Sequence, residues 1–482
     1  METIIRNTDI LNTGVFIINN DRKDFHPFNH YNSLFLTQEG NSSLKKEILR
    51  IINEATSVLK ICSFIITDKE IFNAILNKAK ESQIAVFVLT QLDQDKLKND
   101  LSLIDFITEE EIKENPAQTH IKYIRKLYDN GIHVRASLSA HSKFIVADRT
   151  NGFITSANFT TPSLTFNTES GVYLDENSSK ELDKLFDVIF LQGTTFKEFL
   201  GTGKKGKMLV VQTEATINSD LLPLPRQSKL RYTCESYENN LLNEIIKVID
   251  EASDYIFLST YSIVGLSTLP NLIQSLKSAI GRNVPVSIFC RGMNYRNDHL
   301  SGVSELVEIG CKVYADVYNH SKGVINEKTG LIFTANIDGN HGLTNGFEVG
   351  YILNENQRIE FLDFHKKLIE TSLYVYDSKP TRNELFQTYI LYEMIKGIKA
   401  PTFPHMLILN FKKSHNVNIS ELKNNIIFYG KSKESEFLIV GNSFFECRIK
   451  DNLIQVIEPV NPRFDLEKYI FKFFELKIND SK

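Results

Sequence analysis

Apolar residues at Leu44, Ile48, Ile51 and Ile52 form one stripe of a 3.6-residue period, whereas the run from Leu59 to Ile66 is apolar, β-branched and aromatic without that period. The first pattern predicts an amphipathic helix and the second a buried strand. A further helix pattern and a further strand pattern follow, and the alternation starts again after Asn240. This βα rhythm predicts a largely parallel sheet covered by helices.

The alternation is itself duplicated. IINEATSVLKICSFIITD from Ile51 matches VIDEASDYIFLSTYSIVG from Val248, and QIAVFVLTQ from Gln83 matches VPVSIFCRG from Val284. NGIHVRASLSAHSK from Asn130 matches IGCKVYADVYNHSK from Ile309, and GVYLDENSSKELDKLFDVI from Gly171 matches VGYILNENQRIEFLDFHKKLI from Val349. Matched segments in one order mean an internal duplication. The pattern divides the chain into an N-terminal arm (1–40), a first domain (41–200), a linker or short strand excursion (201–239), a second domain (240–372) and a small C-terminal α+β appendage (373–482). In the appendage, 381–398 and 464–478 read as helices and 405–456 as short strands. The first half alone carries an extra stretch, 93–118, with the acidic run Glu109-Glu110-Glu111. It reads as a solvated helical face or as a lid over a site.

A chain of 482 residues is too long for one ordinary domain, and its 42% hydrophobic content supplies real cores. The formal charge of -4 does not exclude nucleic acid, because such a partner needs only a locally basic surface. Cys62, Cys234, Cys290, Cys311 and Cys447 are scattered without a CxxC pair. That spacing argues for buried thiols in a reducing compartment rather than a disulfide frame or a zinc site. No run reaches the roughly 18 apolar residues of a membrane helix, and the N-terminus lacks a signal-peptide pattern, so a cytoplasmic protein is expected.

The chemistry lies in the matched motifs AHSKFIVADRTNGFITSANF, from Ala140, and NHSKGVINEKTGLIFTANI, from Asn319. Each reads as a hairpin with its turn at DRTNG or EKTG. Side chains two apart on a strand share a face, so His141 joins Lys143 and His320 joins Lys322. Ser156 with Asn158, and Thr334 with Asn336, form second same-face pairs. Lysine and asparagine can grip phosphate oxygens, and a histidine from each half can meet across one phosphorus. Asp148 and Glu327 fall at odd offsets from their histidines and read as turn residues that support the site from behind. Glu169 and Glu348, in NTESGVYL and NGFEVGYIL, are candidates to hold a histidine in its working tautomer.

These residues resemble the HxK(x)4D…GSxN…NxE signature of the phospholipase D superfamily. Thr155 stands where that pattern has Gly, Glu327 replaces its Asp, and TAN replaces GSxN in the second copy. The resemblance covers about 42–371. It implies two α/β/α sandwich domains about a pseudo-twofold axis, one shared site, a phosphohistidine intermediate, and neither metal nor cofactor. By analogy His141 is assigned as nucleophile and His320 as acid and base, with Lys143, Lys322, Asn158 and Asn336 stabilising phosphoryl charge. The reverse assignment of the histidines stays open.

Lipid-acting branches often continue the motif as N-(F/M)-D-x-R-S. Here Asn158 is followed by Phe159-Thr160-Thr161-Pro162-Ser163, and Asn336 by Ile337-Asp338-Gly339-Asn340, without that Arg. The motif therefore looks closest to the nuclease branch, and DNA or RNA is the expected substrate, in nucleic-acid processing or antiviral defence. A phosphatidyl-transfer enzyme and a non-catalytic nucleic-acid-binding scaffold are the alternatives. A regulatory protein partner is compatible with either activity. Arg291 and Arg296 are candidate substrate contacts, with Gln91 in the corresponding region of the first half. Tyr261 and its counterpart Phe64 are candidates for base stacking or pocket closure, and Lys204, Lys205 and Lys207 for backbone phosphate.

Overall fold

The computed structural model describes residues 14–24, 31–38, 40–81, 84–93, 116–137, 140–193, 196–203, 207–214, 216–223, 228–294, 296–381, 384 and 388. It also describes backbone strands at 416–418, 426–431, 436–440, 443–450 and 453–459. The proposed lid, apart from its two ends, and the helices expected at 381–398 and 464–478, apart from residues 381, 384 and 388, lie outside the described residues, as do Lys204 and Lys205.

Two large mixed sheets carry the duplication. The first runs, in spatial order, Met208–Thr213, Phe196–Thr202, His133–Ala136, Ala85–Leu89, Val58–Cys62, Phe144–Ala147, Asn151–Thr155, Glu169–Tyr173 and Phe35–Thr37. The second runs Val15–Ile18, Tyr374–Asp377, Lys312–Asp316, Val286–Arg291, Ile256–Ser259, Gly323–Ile325, Gly330–Phe333, Phe347–Ile352, Leu230–Cys234 and Glu238–Asn239. The orders correspond strand for strand through the middle of both sheets.

Only three strands in each sheet are mutually parallel: Val58–Cys62, Ala85–Leu89 and His133–Ala136, and their counterparts Ile256–Ser259, Val286–Arg291 and Lys312–Asp316. All other pairs in both sheets are antiparallel. The expectation of a largely parallel sheet is thus corrected. Helical crossovers join the parallel strands, but the motif hairpin has too short a turn for anything but an antiparallel return. In the first hairpin, Asp148 and Arg149 make that turn with positive φ (52° and 65°).

The stretch read as a linker is built into the sheets. Phe196–Thr202 and Met208–Thr213 extend the first sheet, and Leu230–Cys234 pairs with Phe347–Ile352 in the second. The arm divides as well: Val15–Ile18 pairs with Tyr374–Asp377 of the second sheet, and Phe35–Thr37 pairs with Glu169–Tyr173 of the first. Among the described residues the chain therefore passes from the second sheet to the first and then returns. The Glu360 carboxylate pins the crossing by accepting from the amides of Asn32, Ser33 and Leu34, each at 2.8 Å.

Apolar packing forms three layers. One cluster fills the outer face of the first sheet beneath helices Ser43–Glu54, Lys69–Ala79 and Pro116–Tyr128. Another fills the outer face of the second sheet. A third joins the halves through helices Glu176–Gln192 and Glu355–Glu370, with Phe186, Phe190, Phe361 and Phe364 at its centre. Each fully buried Leu or Phe there contributes roughly 1.5–3 kcal/mol, so the junction is a core and not a hinge. Cys62, Cys234, Cys290 and Cys311 are buried free thiols. The five C-terminal strands form an antiparallel sheet of their own.

Candidate active site

The two histidine motifs lie where the halves meet, each just ahead of its hairpin. Backbone bonds cross the junction symmetrically: the His141 amide donates to the Phe347 carbonyl (3.2 Å), and the His320 amide to the Thr168 carbonyl (3.0 Å). Ser170 and Ser321 share a hydroxyl bond of 2.8 Å across the same seam.

Each imidazole is oriented by a carboxylate from the opposite half. His141 Nδ1 lies 2.8 Å from Glu348 Oε1, and His320 Nδ1 lies 2.9 Å from Glu169 Oε1. A Nδ1–H bound this way leaves Nε2 as the reactive nitrogen. Ser156 donates to Glu169 at 2.5 Å, and Thr334 donates to Glu348. Lys143 Nζ stands 2.9 Å from His141 Nε2, and Lys322 Nζ donates to the His320 carbonyl at 2.7 Å.

Burial and charge set the protonation states. Burial would raise the Glu169 and Glu348 carboxyls. The facing histidine, the nearby lysine and a hydroxyl bond outweigh it and hold both below the usual range. Burial pushes His320 down to about 4 against the pull of Glu169. His141 is lowered first by burial and then by Lys143. Burial takes Lys322 down to about 7; Glu169 opposes the shift and Lys143 adds to it. Each lysine also acts on the histidine of the other half. Both rings are therefore neutral at pH 7.

Asn158 and Asn336 are the second members of their same-face pairs, in the loops after Asn151–Thr155 and Gly330–Phe333. Their amide oxygens are buried without a hydrogen-bond partner. Sequence reading missed what fixes these loops. The Ser63 hydroxyl accepts from the Phe159 amide (3.1 Å), and the Thr260 hydroxyl accepts from the Ile337 amide (3.0 Å).

A second missed pair is His120 and His299, which sit at the same offset ahead of their motif histidines. Each accepts at Nδ1 from the amide of Ile66 or Ile263, and its Nε2 lies 3.0 Å from the carbonyl of Gln91 or Arg291. They brace the rims of the parallel strands, and the matched offset was the signal in the sequence.

Other candidates lie further from the chemistry. Asp148 accepts from the amides of Thr56, Ser57 and Val58, and Glu327 from those of Ser253 and Asp254. Both tie the hairpin turn to the start of the adjacent strand and make no contact with the histidines. Phe64 meets His141 edge-on with ring centres 5.4 Å apart, and Tyr261 meets His320 at 5.1 Å. Arg291 is 3% exposed, with its guanidinium 5.3 Å from the Tyr261 ring centre and Asp316 beside it in register. Gln91 is buried and accepts from the Asp93 amide. Arg296 pairs with Asp298 at 2.7 Å where helix Asn297–Glu308 begins. Lys207 is exposed beside the strand Met208–Thr213.

Residues 48–190 match the family model described as cardiolipin synthase, PLD-like domain. That segment of the chain carries a phospholipase D-like domain. The chain's two sheets, each with helices on both faces, are consistent with two α/β/α sandwich units of that fold.

Among solved structures, the phosphatidylserine synthase of Haemophilus influenzae Rd KW20 is similar in fold at 10% identity and TM-score 0.50, over 80% of this chain and 96% of that one. Polyphosphate kinase from Porphyromonas gingivalis aligns at 14% identity and TM-score 0.45, over 69% of this chain but only 46% of its own. The phospholipase D family member Nuc from Salmonella typhimurium aligns at 16% and 0.25, over 32% of this chain and 91% of its own. No curated protein sequence matches the chain. Among the described residues, no helix is long and apolar enough to cross a membrane.

Proposed function

We propose that this phospholipase D-like chain hydrolyses phosphodiesters through a phosphohistidine, without a metal, and that its substrate is DNA or RNA. The observation that carries the reading is the crossed pairing of His141 with Glu348 and of His320 with Glu169. It gives each half one neutral imidazole whose orientation depends on the other half. One ring attacks phosphorus, and the other, after taking up a proton from solvent, protonates the leaving oxygen and then withdraws a proton from water. Lys143 and Lys322 hold the nonbridging oxygens, and the Asn158 and Asn336 amides supply N–H donors beside them. Nucleic acid is favoured over lipid by the absence of the Arg-Ser continuation after either Asn.

Phosphatidyl transfer is the second reading, favoured by the cardiolipin synthase description of the matching family model. Incubating wild type and His141→Ala with single-stranded DNA, double-stranded DNA, RNA and phosphatidylcholine vesicles in EDTA separates them. Cutting of nucleic acid by wild type alone supports the first reading. Headgroup release with intact nucleic acid supports the second, and a strict magnesium requirement counts against both.

A further inference from the structure

The pseudo-twofold axis makes the two histidines equivalent in sequence, but their surroundings are not. The His320 side chain is 5% exposed, whereas that of His141 is 30% exposed. Behind His320 stands a closed wall. Tyr261 is 4% exposed, packs on the fully buried Met293, and carries the Arg291 guanidinium over its ring. The corresponding wall at His141 is Phe64, which is only half-buried. Among the described residues the site is therefore shut behind His320 and open beside His141.

In-line displacement at phosphorus turns this difference into an assignment. The nucleophile and the leaving oxygen lie on opposite sides of the phosphorus atom. The leaving group must depart along that line, and the water that replaces it must arrive along the same line. Only the side that communicates with solvent can serve both events. The acid and base thus belongs on the open side and the attacking nitrogen on the shut side. We infer that His320 is the nucleophile and His141 the general acid and base, the reverse of the assignment made by analogy.

This assignment rests on the phosphodiesterase reading. In the first step the His320 Nε2 lone pair forms the N–P bond, the P–O bond to the leaving group breaks, and the departing oxygen takes a proton from protonated His141. In the second step water gives one of its own protons to His141, its oxygen bonds to phosphorus, and the N–P electron pair returns to His320. Neutral His141 must first take up a proton from solvent, which its exposed edge permits.

The test uses a 4-nitrophenyl phosphodiester, whose leaving group departs without a proton. His141→Ala in the full chain is expected to release nitrophenolate in a single burst stoichiometric with enzyme and then stall. The phosphorylated peptide, mapped by mass spectrometry after an alkaline quench, should contain His320. His320→Ala should give no burst. A burst from His320→Ala with the adduct on His141 overturns the assignment. So does wild-type turnover without a burst from His141→Ala, provided that circular dichroism shows the variant folded; His141→Asn replaces it otherwise. No turnover of this substrate or of nucleic acid by wild type would overturn the underlying phosphodiesterase reading instead.

Discussion

His141 is held by Glu348, a carboxylate more than two hundred residues away in the opposite half, and His320 is held in return by Glu169. Neither half contains a complete histidine–carboxylate pair. The shared apolar core between helices Glu176–Gln192 and Glu355–Glu370 therefore has a chemical consequence: it keeps each ring next to the group that sets its tautomer.

Neutralising either carboxylate should show this directly. Glu348→Gln and Glu169→Gln keep the shape but favour the wrong tautomer, and kcat on unactivated nucleic acid is expected to fall about 10²- to 10⁴-fold with little change in KM. Steady-state kinetics on both variants check it. A loss confined to KM would point to substrate binding instead.

Acid sensitivity should follow from histidines buried in the neutral form. Burial lowers His120 to about 4, His299 to about 3, His320 to about 4 and His365 to about 4. Each native value lies below the unfolded value near 6.5. In this window the unfolded chain binds protons that the native chain does not, and each unit of difference is worth about 1.4 kcal/mol. Stability is full above about pH 6.5 and is lost as the pH falls toward 4. Urea midpoints at pH 7.5, 6 and 5 should fall in that order, and His365→Gln should flatten the slope. A pH-independent midpoint would contradict the account.

The two turn carboxylates should separate stability from catalysis. Asp148 anchors three amides of the adjacent strand start, and Glu327 anchors two. Asp148→Ala is expected to cost about 1 kcal/mol, kept small by solvent exposure, with kcat per folded molecule unchanged. Denaturant titration and active-site-normalised kinetics measure the two effects separately. A large fall in kcat at full folding would give Asp148 a chemical role.

The loop ties should affect geometry. Ser63→Ala leaves the buried Phe159 amide unpaired next to Asn158, at a cost of about 1–3 kcal/mol. With Asn158 displaced, kcat/KM is expected to fall at least about tenfold, and Ser63→Thr should restore it, because Thr260 does the same work in the second half. Failure of the threonine variant to rescue would leave the role of Ser63 as packing.

Much of the site was legible in the sequence because duplication filters chance. A single HxK is weak, but His141/Lys143 and His320/Lys322 in matched contexts are not. Alternation also placed Asp148 and Glu327 off the reactive face. The crossing of Glu169 and Glu348 was not legible, because periodicity reports the face of a residue within its own strand and not which distant strand it meets. The arm and the linker were read as able to hold strands, but the pairing of Val15–Ile18 and Leu230–Cys234 was not legible for the same reason, because their partners lie far along the chain. The walls around the histidines depend on packing depth, which a sequence does not encode locally. Arg291 read as a candidate substrate contact, and its burial over Tyr261 could not be read from its position along the chain.

The central claim is that imidazoles from the two halves serve one phosphorus atom. It is tested most directly by multiple-turnover cleavage of an unactivated nucleic acid in EDTA by His141→Ala, His320→Ala and the double variant. Groups that act as a unit lose their effect together. Each single substitution is therefore expected to lower kcat by at least about 10³-fold, and the double substitution to lower it no further. Retention of about half the wild-type rate by either single variant would mean that the halves work independently, and would contradict the account.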